Sequence, residues 1–338
     1  MKETGAMGKE PQKLKKSMEY YENVLRESTV VGCGCQTDFL HPEMRDVLNI
    51  IDPEVLSAPF GSASPLPPDI DGCVVLDIGC GSGQTAFAAS RLVGPKGKVI
   101  GLDMRESLLA VAKKHLPGQM KKFRYKKPNV EFIKGLPEDL NAVGIKDKSV
   151  DVVVANEIIN LSPDKRAVFA EIFRVLKPGG ELCFTSVLTD RRLPAALAND
   201  APLARTGIAG AMYGEDFRRL LLELGCKDYR NFTKEPLIIC DPETTDKTGL
   251  ASFSYRIIRT FKLDLEDICE DYGQVAIYKG TMPGFPHAFP LDDHHLFITN
   301  KPMLVCGNSG GMVEDTRFGK HFTVAGDKTV HHGSFDCS

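Results

Sequence analysis

No apolar run in the 338 residues approaches the roughly 20 that a membrane span requires. Nor is there a surplus of positive charge. The formal net charge is -3, which excludes the broad basic field that draws nucleic acid or anionic lipid. The one basic stretch, Lys121, Lys122, Arg124, Lys126 and Lys127, reads as a solvated loop. The first 16 residues lack the apolar segment of a secretory signal. The ten cysteines are scattered through the chain instead of forming a disulfide framework, so a cytoplasmic protein with free thiols is expected. No internal repeat or low-complexity tract is present.

What remains is an ordinary globular composition, with 42% hydrophobic and 26% charged residues. The length calls for one dominant domain and a smaller one. Residues 1–16 read as a disordered tail and 17–70 as a helical N-terminal segment, with helices over Met18 to Arg26 and His41 to Ile51. Residues 71–225 read as the dominant domain and 226–338 as a smaller α+β domain.

In the dominant domain, strands and helices alternate. Strands are expected at Cys73 to Asp77, Lys98 to Asp103, Val130 to Ile133, Val150 to Ala155 and Glu181 to Val187. Helices are expected at Gln84 to Leu92, Ser107 to His115 and Lys165 to Leu176, the last stopped by Lys177-Pro178-Gly179-Gly180. A further helix is expected over Gly207 to Leu224, and strands at Ser252 to Phe261 and Gln274 to Tyr278. The fourth strand, apolar but for Asp151, suits the middle of a parallel sheet. The pattern is that of a Rossmann-like, doubly wound α/β fold.

The strongest motif is Leu76-Asp77-Ile78-Gly79-Cys80-Gly81-Ser82-Gly83, which closes a strand and opens a helix. Glycine lets the backbone turn tightly and approach a ligand closely. Such a loop also suits a dinucleotide, but three details favour S-adenosylmethionine. The spacing is Gly-x-Gly-x-Gly, not the Gly-x-Gly-x-x-Gly that seats a pyrophosphate. Asp77 just before the loop would repel a pyrophosphate yet suits a sulfonium and an ammonium group. Asp103 ends the second strand, where a carboxylate can take both ribose hydroxyls. Gly135 and Leu136 follow the third strand, where the adenine edge would lie. Asn156 and Glu157 follow the fourth, where the methyl and its acceptor should meet. All four segments end on the carboxyl edge of the sheet, where open α/β folds bind ligands. Glu157 there is a candidate hydrogen-bond acceptor or general base.

These residues carry a resemblance to the arsenite methyltransferases. It runs from Tyr20-Tyr21 through the glycine loop, Gly101-Leu102-Asp103-Met104 and Val130 to Gly135. It continues with Ile158-Ile159-Asn160-Leu161-Ser162-Pro163-Asp164-Lys165, with Arg174 to Leu182, and with the tail Gly333 to Cys337. The resemblance implies a class I methyltransferase with a smaller C-terminal domain. With the loop residues Gly79, Cys80, Gly81 and Gly83 and with Asn156 already expected at the cofactor, it adds Tyr20, Tyr21 and Met104 to the expected contacts. The resemblance implies that trivalent arsenic is bound by two or three thiolates drawn from four family cysteines. Here Cys33 matches the first, with Cys35 beside it, while Ser62, Glu157 and Gly207 stand at the other three. Oxygen and hydrogen do not replace thiolate toward a soft metalloid. Cys33 and Cys35 are therefore a candidate for soft-metal or arsenic capture, and otherwise two thiols in a loop.

The expected activity is methyl transfer to a small soft or polar acceptor, with Glu157 and Asn156 at the reacting end. An N- or S-methyltransferase of a small metabolite is the alternative, and a non-catalytic cofactor-binding regulator is the reading from another class. Cys73, Cys80, Cys183 and Cys240 read as core residues. Asp292, Asp293, His294, His295, His331 and His332 read as surface loops, and Cys337 carries only a weak claim. The acceptor and the oligomeric state are not legible in the sequence.

Overall fold

The computed structural model describes residues 41, 43–57 and 65–337. Two short helices come first, α1 (Met44–Leu48) and α2 (Pro53–Leu56). The alternating region follows as β1 (Val74–Ile78), α3 (Gln84–Leu92), β2 (Lys98–Asp103), α4 (Glu106–Phe123) and β3 (Val130–Lys134). It continues with β4 (Val150–Ala155), α5 (Ile158–Leu161), α6 (Lys165–Val175) and β5 (Leu176–Thr189). The short β6 (Met212–Tyr213), β7 (Arg230–Leu237) and β8 (Phe253–Phe261) complete the sheet.

The strand order is β3-β2-β1-β4-β5-β8-β7, with β6 beside β5. The first five strands are parallel, and β8 runs antiparallel to both β5 and β7. The order reverses between β1 and β4, so the crevice of this doubly wound sheet opens beyond their carboxyl ends. The division expected at residue 225 falls inside this sheet, because β7 and β8 lie beyond it in sequence.

Alternation along the strands decides which side chains meet the site. Leu76, Ile78 and Val153 pack on one face with Val168, Phe169 and Ile172 of α6. Val75, Val99 and Val152 pack on the other with Phe87 of α3 and Leu109 of α4. Asp77 and Asp103 follow the parity of Val75 and Val99, so both carboxylates lie on the α3–α4 face.

Three local expectations are corrected. The second helix of the alternating region runs on to Phe123, past an internal Pro117. The Lys177-Pro178-Gly179-Gly180 segment does follow the end of α6 at Val175, but β5 already begins at Leu176, so the fifth strand starts earlier than Glu181; Gly179 at φ +73° gives its N–H to the Lys262 carbonyl. The helix expected from Gly207 begins only at Gly214 and ends at Glu223. Gly207 stands at φ +75°, and a Cβ on Gly210 would lie 1.8 Å from the Asn160 carbonyl oxygen, so this entry is a tight turn against α5.

Beyond β8 a separate antiparallel sheet of residues 302–305, 274–278 and 322–325 packs with a helix over Gly307–Glu314. Its aromatic core includes Phe261, Tyr278, Phe289, Phe297, Phe318 and Phe322. A buried ionic cluster joins it to the main sheet. Glu181 of β5 accepts from Arg259 of β8 at 2.6 Å and from Arg317, and Arg259 also donates to the Leu291 carbonyl at 2.8 Å.

Candidate active site

The chain leaves β1 through the glycine loop because three positions need left-handed backbone: Gly79, Gly81 and Gly83 have φ of +76°, +54° and +96°. At Gly79 a Cβ would also lie 2.9 Å from the Ile158 Cβ, so α5 closes directly over the loop. Four of the loop's N–H groups are spent internally. Gly79 and Cys80 donate to the Leu102 carbonyl, Gly83 to Cys80, and Gly81 to Asp103 Oδ2 at 2.9 Å. The Cys80 side chain turns into the core beside Phe132, so only its backbone belongs to the loop.

A recess beside this loop is lined by Gly79, Asp103, Met104, Gly135, Pro137 and Ile158, with Leu102 behind. Four of the residues expected around a cofactor thus meet in one place. Leu136 packs instead against the core under α6. Tyr20, Tyr21, Cys33, Cys35 and Ser62 lie outside the described residues.

Asp103 lines this recess, and Asp77 lies on the neighbouring strand just before the loop. Asp77 is buried, and its Oδ2 has no hydrogen-bond partner. Burial, then repulsion from Asp103, pushes its pKa up to about 8 against a bond from the Ala86 N–H. A buried carboxylate oxygen without a partner is costly, and a cationic ligand group would relieve it. Asp103 is fully engaged. Its Oδ1 accepts from the Arg105 backbone and Nε, and its Oδ2 from Gly81 and Arg105 Nη2. A ribose could reach it only by displacing the Arg105 guanidinium. The position of Arg105, two residues past the acid, was the available sequence signal for that competitor.

The second group lies at the end of β4. Glu157 stands at φ +60° as the residue before α5. Its N–H donates to Thr185 Oγ1 at 2.7 Å, and that hydroxyl donates to Asn156 Oδ1 at 2.8 Å. One hydroxyl of β5 thereby fixes both residues. Burial raises the Glu157 pKa, and the Tyr255 hydroxyl partly offsets this. Asn160 anchors α5 by pairing with the Val187 backbone of β5, accepting its N–H at 2.9 Å and donating to its carbonyl at 2.8 Å. At Gly207, aligned by the resemblance with a lost thiol, an added Cβ would lie 3.3 Å from the Asn160 Cβ, so that position packs against α5. Thr185 and Tyr255 carry no motif, and only the pairing of β4, β5 and β8 brings them here.

The histidine and acid pairs are corrected in part. Asp292 and His295 are buried, whereas His294, His331 and His332 are exposed. Cys240 is exposed and not a core residue, while Cys183 is fully buried.

Residues 69–225 match the model of a methyltransferase domain. An arsenite methyltransferase of Aquipseudomonas alcaligenes is 42% identical over 94% of this chain and 92% of its own length. The human arsenite methyltransferase is 31% identical over 90% of this chain and 82% of its own. The crystal structure of an arsenic(III) S-adenosylmethionine methyltransferase from Chlamydomonas reinhardtii superposes with a TM-score of 0.84 at 46% identity, covering 87% of this chain and 99% of that one. The chain belongs to the arsenite methyltransferase family and is an S-adenosylmethionine-dependent methyltransferase.

Proposed function

We propose that the recess holds S-adenosylmethionine and that the acceptor approaches from the Glu157 end as a small hydrogen-bond-donating or cationic nucleophile. The observation that carries this is Glu157 itself, a partly buried carboxylate where the family resemblance calls for a thiolate. Asp77 receives the ammonium group with its unpartnered oxygen, and Asp103 takes the ribose once Arg105 swings away. Met104, Gly135 and Pro137 border the adenine side. The cofactor supplies a methyl on a sulfonium, so the leaving group is a neutral thioether. The protein's own task is alignment and exclusion of water, which together supply much of such a rate. Ile158 over Gly79 closes the loop, and Thr185 holds Asn156 and Glu157 in place. Glu157, raised by its burial, accepts a hydrogen bond or proton from the acceptor as attack proceeds. Free thiols suit a reducing cytoplasm, which is the compartment we assign.

Trivalent arsenic should be a poor acceptor in this crevice, since a hard oxygen replaces a soft sulfur at Glu157 and Gly207 offers no ligand. Chromatographic speciation after incubation with arsenite, S-adenosylmethionine and glutathione tests the point. Little or no methylarsenic is expected. Rapid methylarsenic formation that survives Glu157→Gln would overturn the proposed role of Glu157.

A further inference from the structure

A second chemical group lies in the C-terminal part, away from the crevice. The sulfurs of Cys269, Cys306 and Cys337 lie within 4.8 Å of one another. They come from three separate segments. Cys269 leads into the strand Glu270–Asp271, Cys306 precedes the helix Gly307–Glu314, and Cys337 follows the strand Gly333–Ser334 that pairs with Glu270–Asp271. The Phe335 N–H donates to the Cys269 carbonyl at 2.8 Å, which ties the tail to this place.

Several polar groups converge on Cys306. The Ser309 N–H donates to Cys306 Sγ at 3.3 Å, at the positive end of the helix. Arg230 Nη2 lies 3.8 Å from the same sulfur. A buried relay leads on from Cys306. Ser309 Oγ is 3.3 Å from Cys306 Sγ and 3.2 Å from His295 Nε2, and His295 Nδ1 is 2.8 Å from Asp292 Oδ1. Asp292 in turn pairs with Arg230. Thus Arg230, Ser309, His295 and Asp292 orient one sulfur from several sides, as outer residues do for metal-ligating side chains.

We infer that Cys269, Cys306 and Cys337 form a three-thiolate site for a soft three-coordinate ion, with trivalent arsenic as its ligand. Among the described residues no fourth Cys, His, Asp or Glu joins the group. Structural zinc sites take four protein ligands, whereas trivalent arsenic is complete with three thiolates and a lone pair. Zinc–sulfur bonds are about 2.3 Å long, so sulfurs around any ion of that size need to close up by about 1 Å from their widest spacing here. Binding arsenous acid forms three As–S bonds and breaks three As–O bonds. Each thiol proton leaves with a hydroxyl as water, and no atom changes oxidation state. The site captures arsenic without presenting it to the methyl, and it is independent of the acceptor that the crevice serves.

The test uses the reduced full chain with Cys33→Ser and Cys35→Ser, to remove the other neighbouring thiols. Arsenite binding is followed by titration, and coordination by X-ray absorption at the arsenic edge. One arsenic per chain bound to three sulfurs is expected. Cys337→Ser, near the chain end and half-exposed, should keep the fold and weaken binding at least tenfold, with two sulfurs left. Cys306→Ser should do the same, its fold checked by thermal unfolding. Unchanged arsenite affinity in folded Cys337→Ser, fewer than three sulfurs in the parent, or zinc bound in preference to arsenite at equal concentration would overturn the assignment.

Discussion

Asp77 and Asp103 end adjacent parallel strands on the same face of the sheet, and the Asp103 charge adds to burial in lifting Asp77 to about 8. Asp103 is neutralised by Arg105, but Asp77 keeps a buried oxygen with no partner.

Asp77 therefore links stability to pH. Its ordinary value is 3.8 and its folded value about 8. A carboxyl raised by folding favours the folded state while protonated. The contribution is full below about pH 4 and is lost as pH rises toward 8. Asp77→Asn removes that titration, so thermal unfolding of the apo variant should decline less between pH 4 and 8 than that of the parent. Its affinity for S-adenosylmethionine should fall by about 1.5–3 kcal/mol, the scale of a hydrogen bond to a charged group. Identical pH profiles for the two proteins would remove Asp77 from this role.

Arg105 competes for Asp103, so the two residues should separate in titration calorimetry. Asp103→Ala should weaken S-adenosylmethionine binding by about 1.5–3 kcal/mol. Arg105→Ala should bind at least as tightly as the parent. If Arg105→Ala weakens binding as much as Asp103→Ala, the guanidinium is part of the cofactor site and not its competitor.

Glu181 is fully buried between Arg259 and Arg317, whose charges hold its carboxyl below the usual range against its burial. Glu181→Ala leaves the fully buried Arg259 guanidinium without its carboxylate and should cost about 3–5 kcal/mol in denaturant unfolding. A loss under about 1 kcal/mol would mean that water reaches the cluster.

The parallel half of the sheet was legible because its signals are local. The apolar run Val152–Ala155 marks a central strand, and the glycine loop marks the turn out of β1. Gly79, Asp103 and Gly135 were placed at strand ends by the same local signals, and the fold brings them around one recess. Thr185, Tyr255 and Arg259 were not legible, because β8 enters the sheet from beyond residue 250 and its register on β5 decides what they touch. Cys269, Cys306 and Cys337 are spread over nearly 70 residues of weak periodicity, and only the tertiary fold brings their sulfurs together. The helix expected from Gly207 failed because Gly210 is pressed against α5, a contact with no sequence signature.

The most direct test of the central claim is transfer of a labelled methyl from S-adenosylmethionine to a panel of amines, thiols and trivalent arsenicals, by the parent chain and Glu157→Gln. The structure predicts turnover with an amine or another hydrogen-bond-donating acceptor, little with arsenite, and a loss of about 10²–10⁴-fold in Glu157→Gln, the range for a positioned acid or base. Turnover confined to arsenicals, or equal rates in parent and variant, would contradict it.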